Sequence, residues 1–259
     1  MANQMLAEVE KALDKAPAAD RGLTGAPGAT ATATLQLPDV LVSTAACLVV
    51  AIIAAVPGWL YLAGSIGLYL GLIIVLMVAG FMVARRSPVS APLALGYMAL
   101  MGLMMGAFTH MAVATGTGSN SGVNLALITQ AVLGTVVGAI STLLVYSTPF
   151  GKKASKPGKL FFAVMLGYVL LGLANVVAAL LGVGNGWGFY GVGPLGLALC
   201  ALGVGLACWS LLADIGSADR AIASGAPRNW QWSLGMALAS SIIWLYLEIL
   251  RLLAILNGR

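Results

Sequence analysis

Long continuous apolar runs, separated by short polar stretches, fill the chain from residue 38 onward. Each run is near the ~20 residues that a helix needs to cross a bilayer. None shows the alternation of a membrane β-barrel strand. Seven spans are predicted, at about 38–56, 59–84, 91–115, 123–147, 160–182, 192–215 and 231–256, with Pro57-Gly58 separating the first two. Only helices and closed barrels satisfy the backbone in lipid. The pattern therefore predicts an all-α polytopic membrane protein, a seven-transmembrane-helix bundle over residues 38–257.

Residues 1–37 follow another pattern and read as a cytoplasmic tail and flexible linker. Leu6, Val9 and Leu13 share one helical face, with Glu8, Glu10, Lys11 and Lys15 elsewhere. Either a short amphipathic helix on the membrane surface or a frayed tail fits this pattern. Ala16 to Thr34 is rich in Ala, Pro, Gly and Thr, the composition of a mobile linker. No basic region stands just ahead of an early apolar stretch, so no cleaved signal peptide is expected.

Composition narrows the class. The 259 residues are 60% hydrophobic and 8% charged, with a mean hydropathy of +0.99. Soluble domains carry roughly 25% charge, so a soluble enzyme, a disordered chain and a nucleic-acid-binding domain are excluded. The net charge of +5 comes largely from loops of one face. Arg85 and Arg86 fall in 85–90, Lys152, Lys153, Lys156 and Lys159 in 148–159, and Arg220 and Arg228 in 216–230. Loops 57–58, 116–122 and 183–190 carry no charge. The positive-inside rule then places the N-terminus in the cytoplasm and, after seven spans, the C-terminus outside.

The 33 glycines include pairs at small-xxx-small spacing, Gly67/Gly71, Gly102/Gly106 and Gly134/Gly138. Such pairs predict close helix packing in lipid. Trp59, Trp187, Trp230 and Trp232 lie near span ends, as an aromatic belt would place them. Five methionines in the third span (Met98, Met101, Met104, Met105, Met111) read as soft packing rather than a copper path. Cys47, Cys200 and Cys208 all lie in apolar runs and predict neither a disulfide nor a metal site.

Candidate chemistry rests on the rare charges. Four of eight acids (Glu8, Glu10, Asp14, Asp20) sit in the tail, Asp39 caps the first span and Asp219 falls in a loop. Asp214, near the end of span six, and Glu248, inside span seven, remain. An ionisable side chain in a span is costly and is by default a functional-site hypothesis. On consecutive antiparallel helices the two acids could face each other and share a proton. Straight helices about a turn at Gly225 to Pro227 leave them at different depths, ~16 and ~31 Å from the turn. Separate carboxylates, with Glu248 paired to Arg251 at i,i+3, thus stay equally open. Asn175, mid-span in the fifth helix, is either interhelical hydrogen-bond glue or a cavity ligand, and Gln130 and Thr135 read in the same two ways. His110 stands alone, no HExxH occurs, and no serine–histidine or two-aspartate protease arrangement is seen. Catalysis is not expected.

The C-terminal part reads Leu-Leu-Ala-Asp214-Ile, then Gly225-Ala-Pro-Arg228, then Trp244-Leu-Tyr-Leu-Glu248-Ile-Leu-Arg-Leu-Leu-Ala-Ile-Leu256. With Gln130-Ala-Val-Leu-Gly-Thr135 and Gly167-Tyr168 through Asn175, it resembles the Bax inhibitor-1 (YccA-like, transmembrane Bax-inhibitor motif) family, bacterial branch, over roughly residues 38–257. The resemblance implies a seven-helix pH-sensitive calcium leak in a bacterial plasma membrane. It implies that Asp214 and Glu248 gate the pore and form a weak calcium site, latched by an arginine at the end of the second span. Arg85 is the nearer match for that latch and Arg86 the alternative. No cofactor is implied; calcium ions and protons are the partners, with the lipid bilayer around them. Relatives often carry a glutamate where Met101 stands, so an ion path through span three is not carried over. Other bacterial relatives modulate a membrane-bound ATP-dependent protease, which leaves a non-transporting regulator as the second reading.

Overall fold

The computed structural model describes residues 33–62, 66–114, 124–191 and 193–257. The expected amphipathic helix and nearly all of the expected linker lie outside the described residues. Among the described residues, eight α-helices follow one another: α1 (Leu37–Pro57), α2 (Ile66–Ala84), α3 (Ala91–Ala114), α4 (Leu125–Tyr146), α5 (Pro149–Ala154), α6 (Lys159–Leu180), α7 (Gly193–Ala223) and α8 (Gln231–Asn257). Seven of them are long and apolar enough to cross a membrane. Their outer faces carry exposed Val42, Ile53, Val78, Leu144 and Leu170. Soluble proteins rarely expose apolar surface on this scale, so the chain is a multi-pass membrane protein.

Helix α8 is the centre of the bundle and packs against α1, α3, α4 and α7. Its Ala239, Leu245 and Leu250 are fully buried. Cys47 and Ala51 of α1, Met98 of α3 and Ala239 and Ile243 of α8 form one core cluster. Small residues bring the backbones together. A Cβ on Gly102 or Gly106 would strike the backbone of Ala51 or Ala55, and one on Gly58 would strike that of Leu103. Gly134 and Gly138 instead receive Ile249 and Leu245 of α8. The third expected pair, Gly67 and Gly71, faces open space on α2. Spacing marks a smooth helix face, and a neighbour is needed to use it.

Two span boundaries differ from expectation. Pro57-Gly58 does not end the first span. The helix continues as a π turn over Gly58–Leu62, because a proline removes one hydrogen bond without reversing the chain and a π turn absorbs the fault. One compact unit of the chain begins at Ala33. Leu35 is buried, its N–H donates to the Ala226 carbonyl at 2.9 Å, and the Arg228 N–H donates to the Ala33 carbonyl at 2.9 Å. Asp39 accepts the Gln36 N–H at 3.1 Å and pairs with Arg228 at 2.8 Å. The first residues ahead of α1 are thus tied to the α7–α8 connection.

That connection is shorter than the sequence predicts, since α7 runs on to Ala223 and carries Asp219 and Arg220. Gly225, at φ 68°, makes the turn, in the left-handed region that suits glycine. Part of loop 148–159 is the short helix α5. Thr148 accepts the Gly151 N–H at 3.1 Å to cap it, and Pro149 occupies its first turn.

Candidate functional site

Glu248 lies on α8 and is 2% exposed. Three side chains donate to it. Tyr168 of α6 reaches Oε1 at 2.7 Å. The Trp244 indole reaches Oε1 at 3.0 Å. Arg251 gives Nη1 to Oε1 at 3.1 Å and to Oε2 at 3.0 Å. Trp244 and Arg251 stand at i−4 and i+3, on the same helical face as the acid. A buried carboxylate is tolerated when paired and hydrogen-bonded, and here one turn of helix on either side supplies both.

Arg251 is itself fixed by aromatic faces. Its guanidinium carbon lies 4.4 Å from the Tyr190 ring centre and 5.1 Å from that of Phe108, within cation–π range. The Tyr190 and Tyr168 hydroxyls are 3.1 Å apart. Tyr168 spends its one hydrogen on Glu248, so Tyr190 donates to Tyr168. Burial raises the Tyr190 phenol above its ordinary pKa, which keeps that hydrogen in place. Gly203 of α7 allows the approach. A Cβ there would collide with both Glu248 and Tyr168.

The second intramembrane acid is held apart. Asp214 Oδ2 accepts from Ser241 Oγ at 2.6 Å, and Ser241 lies 2.9 Å from Ser210. Ser241 has one hydrogen, so Ser210 donates to it. Ser241 and Glu248 are seven residues apart on α8, about 10 Å along the axis. The two acids therefore share no proton here, and one calcium site built from both is not assembled. Consecutive antiparallel helices bring residues together only at equal distances from the turn. Asp214 meets Ser241, and Glu248 meets Gly203.

The remaining expected residues divide clearly. The Arg85 guanidinium lies 4.1 Å over the Phe81 ring. Arg85 and Arg86 are exposed, and the ion pair of Glu248 is made with Arg251. Asn175 bonds to a connecting turn rather than to a second spanning helix. Its Oδ1 accepts the Phe189 N–H at 2.7 Å, fixing the turn that carries Tyr190, and it lines a cavity. Thr135 is buried and bonds back to the Ala131 carbonyl, while Gln130 is exposed. The His110 ring packs edge-on to Trp59 at 4.8 Å. The cavity, about 530 Å³, is bordered by Tyr69, Met77, Phe108, Tyr168, Trp187, Glu248 and Arg251. Sequence reasoning missed Tyr168, Tyr190 and Phe108 as site residues. Polar-tipped aromatics in apolar surroundings were the available signal, since a buried Tyr hydroxyl usually finds a partner.

A family model described as Bax inhibitor 1 like matches residues 8–258. No curated protein matches the chain.

Proposed function

The chain belongs to the Bax inhibitor 1 like family, and from that membership we propose a pH-sensitive cation leak, with calcium as the permeant ion. The protein conducts rather than catalyses, in a bacterial plasma membrane with its N-terminus in the cytoplasm. The observation that carries this reading is Glu248, buried in a span and held by Arg251 and Tyr168. Intramembrane ion pairs of this kind mark ion and proton pathways.

Oxygens gather at two levels along α8. Asp214, Ser210 and Ser241 form one, and Glu248 and Tyr168 the other. Calcium is a hard cation that takes 6–8 oxygen ligands. Each level alone is a weak site, which suits passage because a conducted ion must also leave. In the arrangement described, the Arg251 charge neutralises Glu248 and closes that level to a cation. Opening requires that pair to part. Asp214 is the proton-responsive group of the proposal. Its donor is a neutral hydroxyl, and among the described residues no cation lies within ion-pair distance of it. Protonation removes its charge and gives it a hydrogen to donate.

Calcium flux into proteoliposomes made with the purified chain tests the proposal. Flux above that of empty liposomes is expected. A non-transporting regulator of a membrane-bound protease would give none.

A further inference from the structure

The lysine-rich α4–α6 connection plays no part in the proposed leak, yet a groove lies beside it. The groove has a volume of about 530 Å³, within the roughly 300–1,000 Å³ typical of small-ligand sites. Ser141 and Val145 of α4, Phe150 and Ala154 of α5, and Trp209 and Leu212 of α7 line it. Two of its polar groups are satisfied within the protein. The Trp209 indole N–H donates to the Ala154 carbonyl at 3.2 Å, and Thr142 bonds back to the Gly138 carbonyl at 2.8 Å. From Val145 the lining follows α4 back to Gly138, seven residues or about 10 Å into the apolar thickness.

The chain segment beside this groove is strongly basic. Lys152 and Lys153 lie on α5 between two lining residues, Phe150 and Ala154, and Lys156 and Lys159 follow; all four are exposed. The segment 147–160 contains no acid. The nearest acid on the facing α7 end is Asp219, which accepts the Tyr146 hydroxyl at 2.6 Å and is followed by Arg220. The short helix is also firmly seated. Gly151 is buried against the backbone of Val145 and Tyr146, and Ser155 is buried against Gly216. The backbone that carries Lys152 and Lys153 is thus held beside the groove, between its lining residues Phe150 and Ala154.

We propose that this groove is a retained-lipid site for one anionic phospholipid, an acyl chain lying between α4 and α7 and the phosphate on Lys152 and Lys153. Charge and shape together select the occupant. A zwitterionic lipid fills the groove without answering the four lysines, and a free phosphate answers the lysines without filling the groove. Each lysine near an anionic headgroup strengthens attachment about fivefold. The site is independent of the leak, because it touches neither Glu248 nor Asp214.

Native mass spectrometry of the full chain in mild detergent tests it, with phosphatidylglycerol, phosphatidylcholine and glycerol phosphate titrated separately. One phosphatidylglycerol is expected to stay bound at concentrations where the other two do not. The variant K152Q/K153Q should weaken that binding about 25-fold, and Ser141→Phe, which fills the groove from an exposed position, should weaken it as well. Arg86→Gln, in another loop, should leave it unchanged. Thermal midpoints in lipid-free detergent confirm that each variant is folded. Equal retention of phosphatidylcholine, equal binding of glycerol phosphate, or folded lysine and groove variants that bind as wild type would each overturn the proposal.

Discussion

Glu248 and Arg251 form a charge pair in which each member accounts for the burial of the other. Removing one charge strands its partner, which costs about 3–5 kcal/mol for fully buried pairs. Arg251 keeps 20% side-chain exposure, so Glu248→Gln should cost less, about 2 kcal/mol. The double variant Glu248→Gln/Arg251→Met should recover part of that loss, because no orphan charge remains. Thermal unfolding in detergent of the double variant and both single variants checks this, and a double-variant loss equal to the sum of the two single losses would deny the coupling. Half of this arrangement was legible in the sequence. The i,i+3 spacing named Arg251 as the partner of Glu248, and equal-depth reasoning warned that Asp214 sits at another level. Tyr168 and Tyr190 were not legible, because the first reaches Glu248 from another helix and the second reaches Tyr168 and Arg251 from an irregular turn, and no spacing rule links such positions. Arg85 was carried over from the resemblance, and the geometry places it on Phe81 instead.

Among the elements, glycine spacing predicted close packing better than it predicted partners. Gly102 and Gly106 lie on the α1 backbone, whereas Gly67 and Gly71 face open space. Gly102→Ala or Gly106→Ala should therefore force α1 and α3 apart and cost about 1–3 kcal/mol. Gly67→Ala should be neutral or stabilising by up to about 1 kcal/mol. Unfolding of the three variants side by side separates them, and a loss in Gly67→Ala equal to that in Gly106→Ala would contradict the assignment. Hydropathy found every span, since length and apolarity are local properties. It misplaced the first break and the end of span six. There the chain follows tertiary packing, with Gly58 set on Leu103 and the 33–36 segment tied to Ala226 and Arg228.

For the whole molecule, charge asymmetry between loops predicts termini on opposite sides of the membrane. A reporter active only in the cytoplasm should stay silent when fused after Arg259, and activity there would overturn either the orientation or the odd number of spans. The central claim is that Glu248 and Arg251 keep a calcium path closed while Asp214 senses protons. Ser241, the partner of Asp214, lies about 10 Å from Glu248 along α8, and the two acids share no partner, so their effects should be separable. Calcium flux against pH, measured in proteoliposomes for wild type, Glu248→Gln and Asp214→Asn, tests this most directly. Wild type should exceed empty liposomes and vary with pH. Glu248→Gln should leak about tenfold faster across the range, the shift expected when about 1.4 kcal/mol of coupling is lost. Asp214→Asn should conduct with a flat profile. Wild-type flux no greater than that of empty liposomes at any pH, or a pH profile unchanged by Asp214→Asn together with a basal leak unchanged by Glu248→Gln, would contradict the account.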